Sequence, residues 1–547
     1  MPTKPKPVVL PPVWLAGVML SVTTDAFGNE TKSYSQQTFI IMANQAKLKT
    51  VTSWSVSTGV DGAVTTTDAY TMVYKYWGEE LYAGGRLPSL KELKDYAQSL
   101  WGKYQVRLGE MMSADQVGVI HSRTEDAFGN VTDAWSTQTF KIINNQAKLE
   151  TVTSWSTALS IDGTVTKTDA YVMKYTYRED TAENRQLGRV GHLVSAELLG
   201  TDMDGDGRFD GRIYSHTKDA FGNVTESWST QTFVIIANQA KLKEVTSASE
   251  TKGVDGVVSV TDPYTIRYTY YGEELYANGR VPSRNEIKAW IARNDHRSIF
   301  GQLQSAVLLN TIHSRTVDLF GTISNSWSTQ TFVIVAGVAK LKEVTTWSKS
   351  ESFDGSTTTT DPYTIRYNYF GEGLYAGGRM PYREEILAWM KVNGRKFGQL
   401  QSAAMLLRYQ PPYEGHTVVK NGKVTIVQQP GQKYGMHSVS VDAFGNVSET
   451  WTTQNFIIVA GVAKVGTEYS YTLSKSLDMT TTYSYSLVTY KYHEDTWLNR
   501  QLHRVGQYKS ASGTVWSFSN SLNFDNTTTV TVSVTNNVYK IVAGKPV

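Results

Sequence analysis

The chain has 547 residues, and its 53 basic and 50 acidic side chains leave a formal charge of +3, too balanced to imply a nucleic acid or an anionic membrane surface as partner. It contains no cysteine, which excludes disulfides, thiolate zinc sites and a cysteine nucleophile. Its 32 Tyr, 17 Phe and 14 Trp, amid abundant Thr, Ser and Val, form a strand-favouring composition, and no apolar run reaches the length of a transmembrane helix.

Residues 1–12 read as a Pro-rich extended lead-in. Pro11 and Pro12 interrupt the apolar stretch that a signal peptide needs, and no cleavage site follows. From residue 13 the chain repeats itself. Asp-Ala-Phe-Gly-Asn, or a variant of it, begins at Asp25, Asp126, Asp219, Asp318 and Asp442, with a partial copy at Asp525. The repeats run over 13–118, 119–212, 213–311, 312–436 and 437–512, and 513–547 is a partial sixth.

Beyond each of the first five aspartates, at an interval of 36 residues, stands another: Asp61, Asp162, Asp255, Asp354 and Asp478. Loops absorb insertions cheaply, whereas a one-residue slip in a strand moves every side chain to the opposite face. An interval held without insertion therefore marks paired strands. Phe-Gly-Asn and Asp-Gly supply turns with positive φ, and the flanks alternate in strand fashion, so each repeat is predicted to hold two long β-hairpins. The recurrent Asp and Asn read as turn formers whose side chains bond the local backbone. The competing reading takes Asn29, Asn130, Asn223 and Asn446 as glycosylation sequons.

A Tyr-x-Tyr phrase closes the second hairpin, from Tyr74/Tyr76 to Tyr490/Tyr492, and a variable insert follows. In repeats 1, 3 and 4 the insert predicts short amphipathic helices at about 88–100, 283–294 and 382–392. Ser89 with Glu92, and Ser283 with Glu286, have capping-box spacing. Repeats 2 and 5 carry EDTAENRQLGRVG and EDTWLNRQLHRVG instead. Repeat 4 also holds an inserted hairpin at 416–429, turned at Asn421-Gly422.

The predicted fold class is mainly β: a tandem array of long antiparallel β-hairpins, as a spiral sheet or as serial β-domains, with short inserted amphipathic helices. FGQLQSA (Phe300–Ala306) after Tyr-x-Tyr, together with TKDAFGNVT (Thr217–Thr225), resembles tyrosine-aspartate (YD, or Rhs-type) repeats. That resemblance implies hairpins coiled into a β-sheet shell, as in bacterial secreted or surface proteins and toxin cocoons. The repeats here, about a hundred residues long, exceed that family's spacing, and no toxin-like C-terminal segment is found.

Within TDMDGDGRFDG, Asp202, Asp204, Asp206 and Asp210, with the Arg208 carbonyl, stand at calcium-loop spacing, although Ile213 replaces the closing glutamate. The expectation is one Ca2+ site that rigidifies the insert, against an acidic solvated turn. Trp135, Trp228, Trp327 and Trp451 share one register and read either as a cross-strand ladder or as a stacking surface for glycans. No catalytic motif emerges, so an enzyme is not expected. The half-repeats at both ends lead to a functional expectation: a non-enzymatic, secreted or surface structural protein self-associating head-to-tail into a filament or larger array. The alternatives are an adhesin or glycan-binding module that uses the aromatic rows, and a YD-type shell enclosing a cargo.

Overall fold

The computed structural model describes residues 17–100, 108–202, 205–294, 299–406, 408–409, 416–420, 423–427, 433–522, 527–542 and 545–546. The lead-in at 1–12, Asp204, the Asn421-Gly422 turn and Asp525 lie outside them.

Repeat 1 sets the pattern. Strands β1 (Val18–Thr24), β2 (Glu30–Met42), β3 (Gln45–Thr58) and β4 (Val64–Tyr76) pair antiparallel in sequence order. The next strand is interrupted at Gly118 and Val119: β5 (Met111–Val117) pairs with the end of β4, and β6 (Ile120–Glu125) pairs with its start. Later repeats reuse this meander, and the result is one 26-stranded antiparallel sheet. The repeat boundaries read at 436/437 and 512/513 fall inside the strands Met436–Val441 and Tyr508–Leu522. Backbone hydrogen bonding runs unbroken across all the repeats, so the array is a single sheet and not a series of β-domains.

Register is kept across the whole sheet. The line of cross-strand partners Thr23, Thr31, Ser57, Thr65, Thr124 and Thr132 continues to Ser519 and Thr531, with a serine or threonine at every step except Ala158. Neighbouring hydroxyls bond along it, for example Thr65 to Thr124 at 2.8 Å and Thr166 to Thr217 at 2.9 Å.

The 36-residue interval has a physical cause. Asp126 Oδ1 accepts from the backbone amides of Phe128 and Asn130, both at 2.9 Å, and Asn130 Nδ2 donates to Asp126 Oδ2 at 2.7 Å. Asn130 Oδ1 then accepts from the Ile161 amide in the next turn, at 2.9 Å. The same clamp joins Asn29 to Val60, Asn223 to Val254 and Asn446 to Leu477. Both ends of these asparagine side chains are engaged, which favours the turn reading over the sequon. Repeat 4 has Thr322 at this position.

The first long hairpin of each of repeats 1 to 5 also carries a β-bulge at one place, with Lys49, Glu150, Lys243, Lys342 or Gly466 as the extra residue. In four repeats the second tyrosine of Tyr-x-Tyr (Tyr76, Tyr270, Tyr369, Tyr492) donates to the carbonyl beside it. The bulged residue is lysine only where the helical insert follows, and there its Nζ pairs with that insert's glutamate, Glu79, Glu273 or Glu372. The helices are α1 (Leu90–Leu100), α2 (Ala182–Gln186), α3 (Arg284–Arg293), α4 (Arg383–Asn393) and α5 (Trp497–Gln501). Ser283 and Glu286 form the predicted capping box. The short helices α2 and α5 were not predicted, and Thr181 and Thr496 cap them.

The sheet returns upon itself. One rim, termed lower here, is made by the Asp-x-Phe-Gly and Asp-Gly turns; the upper rim is made by the two-residue turns and the inserts. Gln399 Nε2 in the upper rim of repeat 4 donates to the Asp61 carbonyl in the lower rim of repeat 1, at 2.5 Å. Gln507 Nε2 of repeat 5 bonds the Asp162 carbonyl of repeat 2 at 2.7 Å. The chain is thus wound into a spiral that places repeat 4 against repeat 1 and repeat 5 against repeat 2. The largest core cluster lies in this seam: Val60 meets Val335, Tyr375, Met380, Ile386 and Phe397. The accessible surface, 31526 Å², far exceeds the roughly 20,000 Å² of a compact chain of this mass, as expected for a wall with two open faces.

The clamps predict a contrast. Asn130→Ala leaves the amide of buried Ile161 without its acceptor, a loss of about 1–3 kcal/mol, so hydrogen exchange there should quicken roughly 10- to 100-fold. Leu477 is 72% exposed, and water can replace Asn446, so Asn446→Ala should change exchange at Leu477 only slightly. Equal effects at the two sites would contradict the role given to burial.

Candidate functional site

The tryptophan register forms stacks across strands. Trp135 lies between His121, at 5.4 Å between ring centroids, and Trp155, at 6.4 Å. Trp327 lies between His313 and Trp347, and Trp451 between His437 and Tyr471. Neighbouring rings therefore cover both faces of these three indoles, the faces a sugar would need. Trp228 differs: the Arg212 guanidinium sits 4.3 Å over its ring, and its partner on the other side is Ala248.

The stacked histidines are also bridged by acids. His121 Nδ1 lies 2.7 Å from Asp68 Oδ2 and its Nε2 lies 3.1 Å from Asp133 Oδ1, while Arg123 pairs with Asp133 at 3.0 Å. His313 has Asp262 and Asn325, and His437 has Asp361. These pairings are not visible in the sequence, because the aspartates lie 50 or more residues away from their histidines. Desolvation lowers the His121 pKa, but hydrogen bonds to Asp68 and Asp133 outweigh it and hold the imidazole above its ordinary value.

In the Asp-rich loop the carboxylates serve the loop's own backbone. Asp202 accepts from the amides of Gly205 and Gly207 at 2.9 and 3.0 Å, and Asp206 from that of Arg208 at 2.8 Å. Asp210 accepts from the Arg212 amide at 2.9 Å and the Tyr214 hydroxyl at 2.6 Å. Burial opposes charge on Asp210, yet bonds from Tyr214 and from the amides of Arg212 and Thr201 hold its pKa below the ordinary range. Among the described residues no three acidic or histidine side chains converge as a metal-holding group. Asp25, Asp126, Asp219, Asp318 and Asp442 all sit in turns and accept from the backbone amides two and four residues on.

The residues that bring distant repeats together are different ones. The Phe27 ring seats against Gly337 and the Phe128 ring against Gly461, beside the Gln399 and Gln507 bonds. Clefts of about 460 and 620 Å³ lie along this seam; Lys340 and Asp61 line both, with Asp126 in the first and Asp25 in the second. Only the glycine in the turn and the glutamine after the rejoining glycine could have signalled these contacts in sequence. Compared with known proteins, the chain matches no family model and no curated protein.

The His121 site gives a pH prediction. Folding raises this pKa, so the site's contribution is complete below the unfolded value of about 6.5 and fades as pH rises through the higher folded value. His121→Gln should therefore destabilise the protein more at pH 5.5 than at pH 8.5, read as the difference in urea midpoint from the parent chain. A loss that does not vary with pH would contradict the assignment.

Proposed function

We propose that this chain is a non-enzymatic structural protein whose working part is the sheet itself, a spiral wall of the YD-shell type around an interior space. The seam carries this reading: Gln399 on Asp61 and Gln507 on Asp162 join successive turns of one sheet. A rod of side-by-side hairpins would need no such bonds. The surface excess and the short, degenerate phrases shared with YD repeats support the same reading, and a secreted or surface location goes with that resemblance.

Head-to-tail assembly into a filament is the second reading. It is favoured by large apolar residues exposed on the terminal strands, Met19, Leu20 and Val22 of β1 and Val530, Val532 and Val534 of the strand Thr528–Tyr539. The glycan reading is weakened by the covered indole faces and survives best at Trp228. Calcium binding remains a proposal for the loop at Asp202, Asp206 and Asp210.

Negative-stain images of the purified chain should show discrete short particles with a stain-filled centre. Fibres that lengthen with concentration would favour the filament, and beads on a string or solid globules would contradict the wall.

A further inference from the structure

We propose that one position in the upper turn of each repeat decides whether that repeat accepts a neighbour, and that the lower rim of repeat 4 is a vacant docking site for an edge carrying glycine there. The position is Asn44, Asn145 and Asn238 in repeats 1 to 3, but Gly337 and Gly461 in repeats 4 and 5. All five have the same left-handed backbone, with φ of 65°, 60°, 63°, 72° and 75°, so the exchange of residue is not forced by conformation.

It matches the seam instead. A Cβ at Gly337 would lie 2.6 Å from Phe27 Cε2, and one at Gly461 would overlap the Phe128 ring. In repeats 2 and 3 the asparagine instead bonds the preceding repeat: Asn145 Oδ1 accepts from the Met111 amide and Asn238 Oδ1 from the Leu193 amide. A second mark agrees. The residue after the rejoining glycine is the seam donor Gln399 or Gln507 in repeats 4 and 5, but Glu110 and His192 in repeats 1 and 2; repeat 3 is intermediate, with Gln302 after its glycine and Asn238 in its turn. Both marks thus separate repeats 1 and 2 from repeats 4 and 5, and the turn residue alone sets repeat 3 with the first group.

The lower rim of repeat 4 repeats the docking face of repeat 1, and among the described residues nothing is seated on it. Phe320 stands where repeat 1 has Phe27, and Phe353 where it has Val60; they are 81% and 90% exposed, whereas Val60 is 3% exposed. A Cβ on Gly355 would meet nothing within 4 Å, but on the equivalent Gly62 it would meet the Arg395 carbonyl of the docked insert at 3.3 Å. The rim is also acidic, with Asp318, Asp354 and Asp442 along it, and the inserts that dock in the existing seam bring Arg395 and Arg500. The occupant that fits is a partner hairpin edge with a Gly-Val turn, an arginine-bearing insert and a following glutamine. The turns of repeats 1 to 3 in an unmodified second copy present asparagine instead and do not fit.

The test converts a second copy into that occupant. Asn44→Gly/Gln45→Val/Glu110→Gln changes the exposed turn of repeat 1 to the docking type in the full chain. Sedimentation velocity from about 1 to 100 µM is expected to show concentration-dependent association for this variant. Adding Phe320→Ser and Phe353→Ser should abolish it, and the parent chain should lack any association that depends on those phenylalanines. If the variant gains no such association, or the parent already has it, the proposal fails. Should the variant misfold, Gly337→Asn supplies the converse: it should unseat Phe27 and quicken exchange at the seam amides at least 10-fold, and unchanged exchange would overturn the proposal. Particle shape, which tests the wall, is read separately from the parent chain.

Discussion

A β-strand repeats its side-chain direction every two residues, so a slip of one residue exchanges its buried and open faces. The sheet depends on that slip being confined to bulges at fixed places, such as the one in the first long hairpin of each of repeats 1 to 5. The line of serine and threonine hydroxyls from Thr23 to Thr531, broken only at Ala158, records the kept register, and in repeats 1, 2, 3 and 5 asparagine clamps enforce it by tying the Asp-x-Phe-Gly turn to the turn 31 residues on. Cross-strand pairs contribute only about 0.2–1 kcal/mol each, but they recur at every strand. The aromatic stacks at Trp135, Trp327 and Trp451 occupy matching positions because register is kept.

Register alone does not give a core. A repeat of this kind cannot bury an apolar face by itself and depends on stacking. In this chain the stacking partner is not the next repeat, which continues the sheet sideways, but the third one on. Val60 is buried because Ile386, Met380 and Phe397 arrive from repeat 4, while Leu477, the same position in repeat 5, stays exposed. One sequence phrase thus has two environments, set by its place in the spiral.

The long hairpins were legible in sequence, because an interval free of insertions and punctuated by glycine turns has few other physical causes. The helices at 90–100, 284–293 and 383–393 were legible through apolar spacing and, at Ser283, a capping box. Helices α2 and α5 were not, since five residues are too few to show a period. The interrupted strand at Gly118 was hidden for a related reason: its halves, β5 and β6, read as separate short segments until their shared partner β4 is seen. The winding was illegible because it joins residues more than 330 positions apart, and its mark is one turn residue and one glutamine per repeat. The Trp rows were read correctly as aligned, but only their neighbours decide whether an indole face is free.

The central claim is that repeat 4 folds back onto repeat 1, and the absence of cysteine makes it directly measurable. Spin labels on Ala26→Cys and Val338→Cys flank the contact between Phe27 and Gly337, and double electron–electron resonance reads their separation in the dilute full chain. Thirteen strands lie between those turns, counting each interrupted strand once, so an unwound sheet at about 4.8 Å per strand would hold the labels roughly 60 Å apart or more. The spiral predicts a narrow distribution below about 25 Å, allowing for the reach of two labels across a side-chain contact, and a distribution centred near 60 Å would contradict it.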